Sequence, residues 1–71
     1  MLIRISETKA YSVTGVLIEG ERYISIRQMY ATQKDPTFKP SRKGITVPVD
    51  EFRPIVKNAR RILQANKFRA I

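Results

Sequence analysis

The densest group of chemically capable side chains is the run Phe38-Lys39-Pro40-Ser41-Arg42-Lys43-Gly44, with three cations in seven residues held between turn-forming prolines and glycine. A constrained loop of this kind can offer ammonium and guanidinium groups, together with backbone N–H groups, to phosphate oxygens. Read only as a charged surface, it is a solubilising turn ahead of a strand, and the two readings have equal weight from the residues alone. A second group is Tyr23, Arg27 and Tyr30. An aromatic facing solvent beside an arginine is the pairing that stacks bases and neutralises phosphates on single strands; the same tyrosines also serve as ordinary cross-strand or helix-packing residues.

Catalytic chemistry has little to work with. The sequence has no histidine and no cysteine, which excludes disulfides, thiolate and imidazole metal sites and histidine-based nucleophile activation. Six acids are spread along the chain, and the only adjacent pair, Asp50 and Glu51, points in two directions if helical. They read as helix N-terminal charges. No enzymatic activity, metal or cofactor is expected.

Fourteen lysines and arginines against six acids leave a net charge of +8 on 71 residues. Such an imbalance suits a polyanion: nucleic acid first, an anionic membrane surface second, an acidic protein third. No apolar stretch is long enough to span a bilayer and no signal-peptide core follows Met1. The expected setting is intracellular: the cytoplasm of a bacterial cell or host, or the nucleus of a eukaryote. A single core of this size supplies only about 3–5 kcal/mol, so an external staple is expected, and oligomerisation is the one that remains.

The elements that must position these residues are legible in the hydrophobic spacing. Before Pro48 the chain alternates short β-branched and aromatic runs with turn residues. Strands are expected at about 2–6, 10–18, 22–30 and 43–47, with a bulge or bend at Gly15. In the third run Ile24 and Ile26 fall on one face and Tyr23, Ser25 and Arg27 on the other, and Glu19-Gly20-Glu21 makes the tight turn of a hairpin. Residues 31–39 read as a polar loop around Asp35-Pro36. From 49 to about 65 the apolar positions Phe52, Ile55, Val56, Ala59, Ile62 and Leu63 define one helical stripe, expected as core or dimer interface and as the cover for Ile24, Ile26, Ile45 and Val47. Pro54 predicts an irregular first turn. The fold class is α+β, order ββββα, in one domain (1–66) with a short basic tail (67–71). Because the stripe is spent on the sheet, a membrane-bound basic helix is not the economical reading.

The string Ile24-Ser25-Ile26-Arg27, a polar loop with Asp35-Pro36, then Lys39-Pro40-Ser41-Arg42-Lys43-Gly44-Ile45-Thr46 and an aromatic at Phe52, resembles the DNA-binding core of the transcriptional coactivator family called positive cofactor four. The resemblance runs from about Tyr11 to Leu63. It implies a curved four-stranded antiparallel sheet followed by one helix, paired into a homodimer through the helices, and a non-enzymatic protein that binds single-stranded DNA or the separated strands of melted duplex. Position by position, it implies backbone contacts from Arg27, Lys39, Arg42 and Lys43, a base contact from Tyr30 where the family has tryptophan, and a hairpin glycine at Gly20.

The chain departs from that pattern at the hairpin. Ile18, Glu19 and Glu21 stand where the coactivator has a phenylalanine and two lysines, Val16 replaces an arginine, and Pro54 has no counterpart. Arg4, Lys9, Tyr11 and Arg22 are available to compensate; the alternative is another path for the nucleic acid. The chain resembles the minimal bacterial and phage members, for which replication, recombination or nucleoid upkeep are more natural settings than coactivation. The expected function is therefore a sequence-independent single-stranded DNA-binding homodimer, with Arg27, Tyr30, Lys39, Arg42, Lys43, Tyr23, Arg22 and Arg4 as its nucleic-acid contacts. Replication or transcription proteins are further candidate partners. A small dimeric adaptor for an acidic protein such as a polymerase subunit, and an RNA-binding or chaperone module, remain the alternatives.

Overall fold

A computed structural model describes residues 1–71. Four strands, β1 (Leu2–Arg4), β2 (Lys9–Ile18), β3 (Glu21–Tyr30) and β4 (Lys39–Pro48), form one antiparallel meander in the order β1-β2-β3-β4, followed by the helix α1 (Val49–Ala65). The expected order ββββα is the observed one.

The β2–β3 hairpin is set by its two-residue turn. Glu19 has φ 51° and Gly20 φ 82°, the double positive φ of a type I′ turn, whose twist matches that of the flanking strands. From this turn the register runs without interruption from Ile18 opposite Glu21 to Lys9 opposite Tyr30, and Gly15 pairs directly with Ile24. The bulge expected at Gly15 is therefore absent. The irregularity lies instead between β3 and β4: Arg27 pairs with Gly44 and Met29 with Pro40, so four steps on β4 oppose two on β3. β4 also starts at Lys39, well ahead of the expected 43, and β1 ends at Arg4. As an edge strand, β4 can accept Pro40 because that residue's missing N–H takes nothing from an inner ladder.

Pro54 produces no irregular first turn. The helix is continuous from Val49, with Pro54 at its sixth position, where one bond to the Asp50 carbonyl is forfeited. Asn58 Nδ2 donates to the Pro54 carbonyl at 2.8 Å. Asp50 and Glu51 occupy the first turn, where the helix dipole favours acids. At the other end Asn66, at φ 51°, closes the helix. Its N–H donates to the Leu63 carbonyl and that of Lys67 to Ile62, the double bond of a Schellman cap.

The expectation that α1 covers the sheet fails. The helix touches only β3 and β4 near their junction with it, and the stripe residues Ile55, Ile62 and Leu63 are exposed. Ala10 and Ala31 are the only buried residues. The Cα radius of gyration is 14.8 Å, against about 11 Å for a compact domain of this length. The helix projects from the sheet, so two apolar surfaces stay open on one chain.

Candidate nucleic-acid interface

Directly paired residues of antiparallel strands share a side of the sheet, so the register assigns each candidate to a face. One face carries the rows Leu2–Ser12–Arg27–Gly44 and Thr14–Ser25–Thr46, with Arg4, Ala10 and Met29 beyond Arg27 and Val16, Tyr23 and Pro48 toward the hairpin. Its centre is polar, and Thr46 Oγ1 donates to Ser25 Oγ at 3.2 Å across it. The other face carries Val13–Ile26–Ile45 and Gly15–Ile24–Val47, with Ile3, Tyr11 and Leu17, and is largely apolar.

The cations are concentrated where β4 bulges. Half-buried Arg27 donates from Nη1 to the Ser41 carbonyl at 3.0 Å, and Lys43 N–H donates to Ser41 Oγ at 3.0 Å. These two bonds fix the extra loop of β4, which carries Arg42 and Lys43, both exposed. Close approach here requires glycine. A Cβ on Gly44 would lie 2.7 Å from the Ile26 carbonyl oxygen and 3.1 Å from Arg27 Cα.

Lys39 pairs with Tyr30 in the last register position of β3 and β4. Its ammonium forms an ion pair at 2.9 Å with Asp35, the only ion pair in the chain. That ammonium, and after it the Thr37 N–H donated to Oδ1, hold the Asp35 carboxyl below its ordinary range. The Thr32 hydroxyl accepts from the Asp35 N–H at 3.0 Å, so the loop before β4 is internally bonded. Tyr30 is exposed at the mouth of this loop.

The remaining candidates are dispersed. Tyr23 lies toward the hairpin on the polar face, its hydroxyl 3.4 Å from Glu21 Oε2. Arg22 pairs with Leu17 on the apolar face and lines a shallow hollow with Gly20, Glu21, Pro48, Val49 and Asp50, an acidic neighbourhood. Arg4 is on the polar face with its guanidinium 5.8 Å from the centre of the Phe38 ring. That cation–π contact was not anticipated, and neither was the organising role of Ser41. The hint available in the sequence was an aromatic immediately before a basic run. On the opposite face, Tyr11, Ile26, Gln28, Gly44 and Ile45 line a further hollow with Lys43.

The two ends of the sheet thus differ in sign. The bulge end holds Arg4, Arg27, Lys39, Arg42 and Lys43, while the hairpin end holds Glu19 and Glu21 near Asp50. No cluster of acids could hold a metal ion, and no helix is long and apolar enough to cross a membrane.

Residues 5–58 match the family model described as Transcriptional Coactivator p15 (PC4). The chain belongs to the PC4 family. Among solved structures, a PC4 homolog from Burkholderia pseudomallei, BPSL1147, shares the fold. Its orthorhombic form superposes with a TM-score of 0.70 at 19% identity, covering 94% of this chain and 85% of that one. Its tetragonal form gives 0.70 at 21% identity, covering 94% and 93%. No curated protein is significantly similar to the chain in sequence. The PC4 match takes in β2, β3 and β4, begins just after β1 and stops within α1, before Arg60, Arg61 and the tail.

Proposed function

We propose that this chain is a homodimeric, sequence-independent single-stranded DNA-binding protein of the PC4 family. The observation that carries the reading is the bulge of β4 clamped by Arg27, which brings three cations without an ion-pair partner, Arg27, Arg42 and Lys43, to one end of a sheet of PC4 fold. Lys39 and Tyr30 pair with each other at the same end of the sheet, on the face opposite Arg27; there Lys39 would exchange Asp35 for a phosphate and Tyr30 would offer a ring to a base as the strand rounds the edge of β4. The strand would enter at the bulge end, because the acids of the hairpin repel it. Arg4 lies on that path and Arg22 does not.

The dimer is supported by area. The chain exposes 6365 Å², against about 4500 Å² for a compact monomer of its mass. The excess of about 1800 Å² per chain is within the range that obligate dimers bury. The apolar face of the sheet and the stripe of α1 supply complementary surfaces for it. Transcription, replication and recombination all expose single strands, and the chemistry of the site is common to them.

The test is a fluorescence-anisotropy titration with a labelled oligothymidine of about 20 nucleotides at several salt concentrations, with RNA of the same sequence beside it. Four neutralised phosphates correspond to a log–log salt slope near −3. A slope near zero removes the groove, and a clear preference for the RNA reassigns the site to an RNA module.

A further inference from the structure

The cations of α1 have no role in the sheet site. From Phe52 to the end of the chain there are six, Arg53, Lys57, Arg60, Arg61, Lys67 and Arg69, and not one acid. The four on the helix are all exposed, and none has an ion-pair partner. At 100° per residue they fall within an arc of about 100°, spread over about 12 Å of helix axis. The apolar stripe lies on the opposite side.

We propose that this outer face of α1 is a second nucleic-acid site, one that grips the phosphate backbone of a duplex. One molecule would then hold a single strand on the sheet and a duplex segment on the helix. Three features favour duplex as the occupant. The arc presents cations and no aromatic side chain, so it can neutralise phosphates and has nothing to stack on unpaired bases. Duplex DNA has the higher linear charge density, one charge per about 1.7 Å of axis. A lipid surface would need the apolar stripe to insert, and that stripe lies on the far side of the helix from the cations. The inference goes beyond the single-strand reading and does not depend on it.

The test compares the whole protein with three variants. One replaces the helix cations (Arg53→Gln, Lys57→Gln, Arg60→Gln and Arg61→Gln together). A second keeps the charge (R53K, R60K and R61K). The third alters the sheet (Lys39→Gln, Arg42→Gln and Lys43→Gln). Each is titrated with labelled oligothymidine and, separately, with labelled blunt duplex. Each is also asked to carry labelled duplex onto oligothymidine beads. The glutamine helix variant is expected to lose about tenfold or more in duplex affinity and to fail in the bead assay, while oligothymidine binding stays within about threefold. The lysine variant should behave as wild type, and the sheet variant should retain the duplex.

Wild-type-like duplex binding by the glutamine helix variant overturns the proposal, as does loss of duplex by the sheet variant alone. Sedimentation with phosphatidylserine-containing vesicles, with duplex binding untouched by the helix variant, overturns it in favour of a lipid. The wild-type protein gives a readout that needs no variant: a duplex salt slope near −3.6 is expected from four contacts, and a slope near zero refutes them. If oligothymidine fails to bind while duplex binding still depends on the helix, the single-strand reading falls and this one stands.

Discussion

Arg27 reaches fourteen residues along the chain to donate a hydrogen bond to the Ser41 carbonyl at 3.0 Å, so a residue placed by the regular alternation of β3 holds the irregular part of β4. Arg27→Ala should therefore lower stability by about 1 kcal/mol, since a charged donor is lost from a half-buried bond. Arg27→Lys keeps the charge but not the planar fork, and should restore less than half of the lost oligothymidine affinity. Urea unfolding followed by anisotropy would separate the two effects.

Gly44 and Gly15 make a matched pair for testing close packing. Gly44→Ala drives a methyl group against backbone at 2.7 Å, and should destabilise by about 1–3 kcal/mol with a displaced bulge. Gly15→Ala meets nothing within 4 Å and should stay within about 0.5 kcal/mol of wild type. Equal midpoints for the two variants in urea would contradict the register between Arg27 and Gly44.

Glu19 holds a positive φ that asparagine tolerates better. Glu19→Asn should raise stability by about 0.5–1 kcal/mol, read from thermal unfolding. Because it also removes an acid from the repelling end of the sheet, oligothymidine affinity should rise and not fall.

Asp35→Asn keeps the acceptor for the Thr37 N–H and frees Lys39. Oligothymidine affinity should rise while the salt slope stays near −3, because Lys39 no longer gives up an ion pair to reach its phosphate. In the wild-type protein the Asp35 carboxyl titrates lower when folded than when unfolded. Its contribution to stability is present above the ordinary carboxylate range and is lost as pH falls through the lowered folded value. Without histidine, stability and binding should be flat between about pH 5 and 8 and decline only in acid.

Leu63→Asp and Ile55→Asp each put a charge on the open helical stripe. Either is expected to halve the mass seen by sedimentation and to abolish the dependence of Tm on protein concentration that a folded dimer shows. A wild-type Tm independent of concentration would exclude the dimer.

How much of this could be read in advance varied with how local the cause was. The hairpin was legible because Gly20 and the alternation of Tyr23, Ile24, Ser25, Ile26 and Arg27 act within a few residues. The bulge was not, because Pro40, Ser41, Arg42 and Lys43 have the composition of a loop, and only the Arg27 bond and the edge position make them strand. The spacing of Phe52, Ile55, Val56, Ala59, Ile62 and Leu63 identified the helix but not its partner surface. Covering the sheet is the cheapest assumption for one chain, and it fails here because α1 projects away from the sheet and touches only β3 and β4. At the candidate site, the basic run was visible in the sequence. The split of Tyr30 and Arg27 between two faces, and the seat of Phe38 under Arg4, depend on long-range register.

β4 has a neighbour on one side only, and its free edge runs through Pro40, Arg42, Lys43 and Pro48. An open edge invites the strands of other copies, and a chain with two buried residues exposes ample apolar surface to reward such pairing. Two prolines withhold donors from an incoming strand, and like charges would face each other across any edge-to-edge contact. The bulge that carries Arg42 and Lys43 thereby also makes this edge a poor template for fibril-like stacking. Substitutions that flatten or neutralise it should show first as lost solubility during expression, before any defect in binding can be measured.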